Sequence, residues 1–136
     1  MILADTSAWV EYDRGNGSPV DQRLTKLIAD NDEIAVTEPV LMEVLAGARD
    51  ESSASELRRL LLRFRLLGFD SVTDFEGAAR IYRTCRRAGI TPRGLIDCMI
   101  ATVALRTGAT LLAQDVDMAR IADIAGIGLD DASIRG

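Results

Sequence analysis

The chain has 136 residues, 48% apolar and 27% charged, with a net charge of −5, which fits one folded domain over residues 1–136 and excludes a disordered polyelectrolyte. It contains no histidine and only two cysteines, Cys85 and Cys98, which excludes histidine-based triads, a histidine general base and a disulfide framework, and leaves no His/Cys-rich zinc pattern. No apolar run approaches a membrane span, and Met1-Ile2-Leu3-Ala4-Asp5 lacks the charged and apolar regions of a signal peptide, so a cytoplasmic protein with no membrane partner is expected.

Ile2-Leu3-Ala4 reads as a short buried strand, and Asp5-Thr6-Ser7 can cap a helix over Ala8 to Asp13. After the loop Arg14-Gly15-Asn16-Gly17, Ser18 and Pro19 open a helix that runs through Leu24, Leu27 and Ile28. Ile34-Ala35-Val36 is a second strand, and Thr37-Glu38-Pro39 starts a helix over Val40 to Ala46. The next predicted helix spans Glu56 to Leu67 and stops at Gly68, followed by a third strand over Phe69 to Val72. Helices follow over Asp74 to Ala88 and within Pro92 to Thr107, with both cysteines in apolar, core-like settings. Thr110 to Ala113 is a fourth strand, Asp117 to Ile124 a short helix, and a last strand falls near Ser133-Ile134. Strands separated by helices imply an α/β fold with a mainly parallel sheet.

Without histidine, any catalysis falls to carboxylates, and carboxylates favour hard ions such as magnesium or manganese. Asp5 directly follows the first strand and Asp115 closely follows the fourth, where open parallel sheets bind ligands; each can equally be a helix N-cap. Asp97 interrupts the apolar helix segment Leu95 to Leu105, where an unpaired carboxylate is costly; a metal would compensate it, and so would Arg93 one turn earlier. Glu43 shares a helix face with Val40, Val44 and Gly47, as a ligand or as an edge residue reaching water. Asp117 adds a fifth acid, as ligand, supporting acid or N-cap. One divalent metal site explains the four main acids together.

The ordered set Asp5-Thr6-Ser7, Glu43, Leu95-Ile96-Asp97-Cys98-Met99-Ile100-Ala101 and Asp115-Val116-Asp117 resembles a PIN domain, and within that superfamily the VapC toxins of toxin–antitoxin pairs. The resemblance implies a three-layer α/β/α fold, magnesium- or manganese-dependent RNA hydrolysis, a homodimer and a cognate VapB-like antitoxin. It maps the acidic site to Asp5, Glu43, Asp97 and Asp115, with Asp117 nearby. Thr6 and Ser7 then orient Asp5 or a bound water, unless they only cap the helix. Met118 departs from the aromatic residue that relatives often carry there, at a position expected to pack. Two other readings are a PIN-like binding module without activity and a receiver-type phosphoacceptor domain. The second lacks a suitable lysine, since Lys26 lies in an early helix.

The net negative charge conceals an uneven distribution. Between Leu57 and Arg93 nine arginines face three acids, Asp70, Asp74 and Glu76, a local +6 that leaves −11 elsewhere. Either these are solvated helix faces, or they include RNA contacts, with Arg80, Arg83, Arg86, Arg87 and Arg93 the candidates. On the predicted helix Glu56 to Leu67, one stripe (Leu57, Leu60, Leu61, Phe64, Leu67) serves the core. Leu62 and Leu66 fall opposite it among arginines, marking an antitoxin groove, or a face buried by the domain itself or a dimer mate.

Overall fold

The computed structural model describes residues 1–135. Strand β1 (Ile2–Ala4) leads into α1 (Thr6–Arg14) and α2 (Pro19–Ala29), and β2 (Ile34–Val36) into α3 (Glu38–Ala46) and α4 (Glu51–Leu61). The short β3 (Arg65–Leu66) precedes α5 (Thr73–Arg87) and α6 (Leu95–Thr107), and β4 (Thr110–Leu112) precedes α7 (Val116–Ala125). The sheet order is β3-β2-β1-β4 and every pairing is parallel. Helices α1 to α4 pack among themselves, as do α5 to α7, giving the expected three layers around a sheet whose central strands are buried. That order puts β1 between β2 and β4, so three strand ends and the helices leaving them meet at one edge.

Two sequence features explain the tight pairing of α5 with α6. A Cβ on Gly77 would stand 2.2 Å from the Thr102 hydroxyl oxygen, so only glycine permits this approach. At the far end of α6, Arg106 donates through Nε and Nη2 to the two carboxylate oxygens of Asp74 at 2.9 and 2.7 Å, and also to the Gly68 carbonyl. Cys85 and Cys98 are buried and free, as expected from their settings. Met118 is fully buried, so its departure from an aromatic residue is absorbed by packing.

Several expectations need correction. The helix predicted over Glu56 to Leu67 begins at Glu51, where Asp50 accepts the Ser53 N–H as N-cap, and ends at Leu61. Leu62 is therefore its C-cap, and Leu66 lies in β3 at the sheet edge rather than on a helix. The leucine periodicity that extended the helix comes from two elements in succession. Phe69 to Val72 forms no strand, because the chain there caps α5: Asp70 accepts the Thr73 N–H and donates its own N–H to Asp74. Ser133-Ile134 forms no strand either, although the Ile134 N–H reaches the Ala113 carbonyl at 3.0 Å; the sheet-like bridge near that end is Leu111 with Leu129.

Candidate metal-binding active site

Asp5 leaves the end of β1 as the N-cap of α1, yet its side chain makes no cap hydrogen bond. It is 2% exposed; Oδ2 accepts the Ser7 hydroxyl at 2.8 Å, and Oδ1 is buried with no partner among the described residues. Ser7 also accepts the Gln114 N–H at 2.9 Å, tying the end of β1 to the segment after β4. The neighbouring Thr6 hydroxyl donates to Glu43 Oε1 at 2.7 Å and so fixes the glutamate that α3 presents. The two hydroxyls thus divide the work: Ser7 orients Asp5, and Thr6 orients Glu43.

Asp97 is half-buried in the first turn of α6, where a negative charge suits the helix dipole; it is not the mid-helix residue that the sequence implied, because α6 starts only at Leu95. Arg93 does not pair with it. Instead the Arg93 guanidinium donates to Asp115 Oδ1 at 2.5 Å, and its backbone N–H donates to Asp117 Oδ2 at 3.1 Å. Asp115 also caps α7, accepting the Asp117 N–H. Among the described residues Asp97 has neither an ion pair nor a side-chain hydrogen bond, so its charge is the least compensated of the set.

The electrostatics follow from this arrangement. Burial pushes the Asp5 carboxyl up to about 6; Asp115 and Glu43 add to that, while the Ser7 hydroxyl and the Thr6 N–H oppose it. Asp97 rises to about 7, through burial first and then the negative charges of Asp5, Asp115, Glu43 and Asp117. Five acids from two strand ends and three helices therefore sense one another. Among the described residues no three of them converge tightly enough, as they stand, to enclose an ion. The donor set still fits a hard divalent ion: every donor is a carboxylate oxygen, one is buried and unpartnered, and the cluster's charge is incompletely balanced.

Sequence reasoning missed Thr37. It lies two residues beyond the Leu3–Ala35 pair, beside Asp5, fully buried, and its hydroxyl has no partner among the described residues. The available signal was a hydroxyl residue following β2 just as Asp5 follows β1. Lys26, the one lysine, lies in α2 and pairs with Asp30 on an exposed face, so it does not take the late strand-end place that the receiver-type reading needs. Arg80, Arg83, Arg86 and Arg87 are exposed on α5 and make no ion pair among the described residues.

Comparison with known proteins gives a consistent result. The PIN domain family matches residues 2–124. "Ribonuclease VapC11" of Mycobacterium tuberculosis is 44% identical over 136 residues, spanning 99% of this chain and 100% of that protein. "Ribonuclease VapC19" of the same organism is 37% identical over 85% of this chain and 90% of its own length. Among solved structures, VapBC2 from Rickettsia felis, bound to a DNA fragment from its promoter, superposes with a TM-score of 0.76 at 20% identity, covering 98% of this chain and 99% of the other; it bears on the fold alone.

Proposed function

As the chain belongs to the PIN-domain family and, within it, to the VapC ribonucleases, we propose that it is the toxin of a type II toxin–antitoxin pair and an endoribonuclease that uses magnesium or manganese. One observation carries the metal assignment: a buried, unpartnered Asp5 oxygen among carboxylates whose charge no histidine, lysine or full complement of arginines balances. Asp5, Glu43, Asp97 and Asp115 would hold the ion, with Asp117 in support. A divalent ion bound there supplies an activated water near neutral pH and shields the charge of the scissile phosphate.

The chain's own residues do the positioning. Ser7 and Thr6 lock the carboxylates of Asp5 and Glu43. Arg93 offsets part of the charge of Asp115 and Asp117, so its part is to shape the acidic site as well as to meet RNA. Arg80, Arg83, Arg86 and Arg87 take RNA phosphates from the exposed side of α5. Leu62 and Leu66, 42% and 48% exposed, mark an antitoxin-docking surface at the end of α4 and on the edge strand β3. Val72, Phe75 and Leu105 are exposed at the ends of α5 and α6 and offer an apolar face for a homodimer. The protein acts in the cytoplasm, where its RNA substrates are; no helix among the described residues is long and apolar enough to cross a membrane.

The test is incubation of pure protein with total RNA. Cleavage should need magnesium or manganese, stop with a chelator and leave 5′-phosphate and 3′-hydroxyl ends. Chelator-resistant cleavage rules out the metal assignment, and absence of cleavage with either ion rules out the enzyme.

A further inference from the structure

An open cavity of about 420 Å³ lies between α5 and the loop that enters α6. Tyr82 and Arg83 form its α5 wall, and Pro92, Arg93 and Leu95 form the other. Arg93 also holds Asp115 and Asp117, so the cavity and the acidic site share a wall. Leu95, the first residue of α6, is 57% exposed. The Arg86 guanidinium lies 6.0 Å from the Tyr82 ring centroid. From Arg83 a second recess, lined by Arg83, Arg86 and Arg87, continues along α5, and no acid lines either recess.

The combination is chemically narrow. Arg93 is already engaged by Asp115 and Asp117, but Arg83, Arg86 and Arg87 pair with no acid among the described residues, and such arginines select a polyanion. An aromatic ring with apolar neighbours gives a base something to stack on, and this pairing of charge with π-surface is how single-stranded nucleic acid is held. An acidic peptide would use the arginines and leave the Tyr82–Leu95 shelf without a task.

We infer that the half-exposed Tyr82 ring and the exposed Leu95 form a base-stacking subsite for a nucleotide flanking the cleaved bond, backed by the buried Pro92 and with Arg83 on its phosphate. This rests on the ribonuclease reading for its place beside the scissile phosphate; the stacking itself does not need cleavage. Because every base has a π-face, the subsite contributes affinity and alignment with little preference for sequence.

The test compares two strands of equal charge by fluorescence anisotropy in chelator: a single-stranded RNA of about ten nucleotides and an abasic ribose-phosphate strand of the same length. The wild type should bind the base-bearing strand about tenfold tighter. Tyr82→Leu should remove most of that gap while leaving affinity for the abasic strand unchanged, and Tyr82→Phe should keep the gap. Leu95→Ser, at an exposed position with no burden on folding, should narrow it independently. Equal affinity of the wild type for both strands overturns the subsite, as does a gap that persists in both Tyr82→Leu and Leu95→Ser. A cleavage assay on the same protein separates the two ideas. Base-dependent binding without cleavage leaves the subsite and removes the enzyme; cleavage without base-dependent binding does the reverse.

Discussion

Asp5 and Asp74 are almost equally hidden, at 2% and 1% exposure, and their circumstances are opposite. Asp74 receives a two-pronged guanidinium from Arg106 and the Asp70 N–H, so both of its oxygens have donors. Arg106 accordingly holds the Asp74 carboxyl below its ordinary value. Asp5 has one hydroxyl on one oxygen and, among the described residues, no partner on the other, and burial lifts its carboxyl to about 6. The two ends of α6 repeat the contrast: Asp97 in its first turn is uncompensated, while Arg106 in its last turn closes a pair. The same fold thus gives one buried aspartate donors on both oxygens and leaves the other with an unpartnered oxygen among the described residues.

The largest effect that sharpens this contrast is on activity. Asp5→Asn, Glu43→Gln, Asp97→Asn and Asp115→Asn should each lower cleavage on the order of a thousandfold or more while the far-ultraviolet circular dichroism stays unchanged. An Asp97→Asn protein that cuts at the wild-type rate breaks the assignment. Asp117→Asn should be milder, since that carboxylate already accepts the Arg93 backbone N–H.

Next in size is the structural pair. Arg106→Met strands the Asp74 carboxylate and should cost about 2 kcal/mol in urea unfolding, below the usual figure for a fully buried pair because Arg106 is itself 38% exposed. Since the folded Asp74 carboxyl lies below its ordinary 3.8, its contribution is present above that value and fades as pH falls through the folded one. A loss of stability in Arg106→Met that is equally large at acid pH contradicts the pairing account.

The acidic cluster should respond with the opposite sign. Asp5 and Asp97 hold protons in the folded state that they release when unfolded, between 3.8 and their folded values of about 6 and about 7. Without metal, stability therefore falls as pH rises across that window. Asp97→Asn should flatten the fall and raise metal-free stability above it by about 1–2 kcal/mol, after discounting for the part of Asp97 that meets water. Smaller again is the effect of the positioning hydroxyls: Thr6→Val and Ser7→Ala should each reduce cleavage by about tenfold to a hundredfold.

Much of this was legible before any coordinates. Asp5 and Asp115 could be placed because each follows a strand-like run, Ile2-Leu3-Ala4 directly and Thr110 to Ala113 after Gln114, at the end of a parallel sheet where ligands bind, although the same positions also suit a helix N-cap. Most of the helix and strand order was readable from periodicity, but the shared apolar stripe across Leu61 to Leu67 hid the end of α4, and the strands expected over Phe69 to Val72 and near Ser133-Ile134 do not form. The partnerships were not readable. Arg93 is one turn from Asp97 in sequence, yet the close approach of the α6 entry loop to α7 delivers it to Asp115 and Asp117. Thr6 meets Glu43 across 37 residues, and Thr37 meets the edge of the site only through the register of β1 with β2. Such contacts are set by tertiary packing, which local patterns do not encode.

The central claim is that the open carboxylates await a divalent ion, and thermal unfolding in a manganese titration tests it most directly. The wild type should gain stability in proportion to the logarithm of metal concentration once the site begins to fill. Asp97→Asn should start higher without metal and gain little with it. A wild type that manganese leaves unmoved, or an Asp97→Asn protein that gains as much as the wild type, contradicts the account.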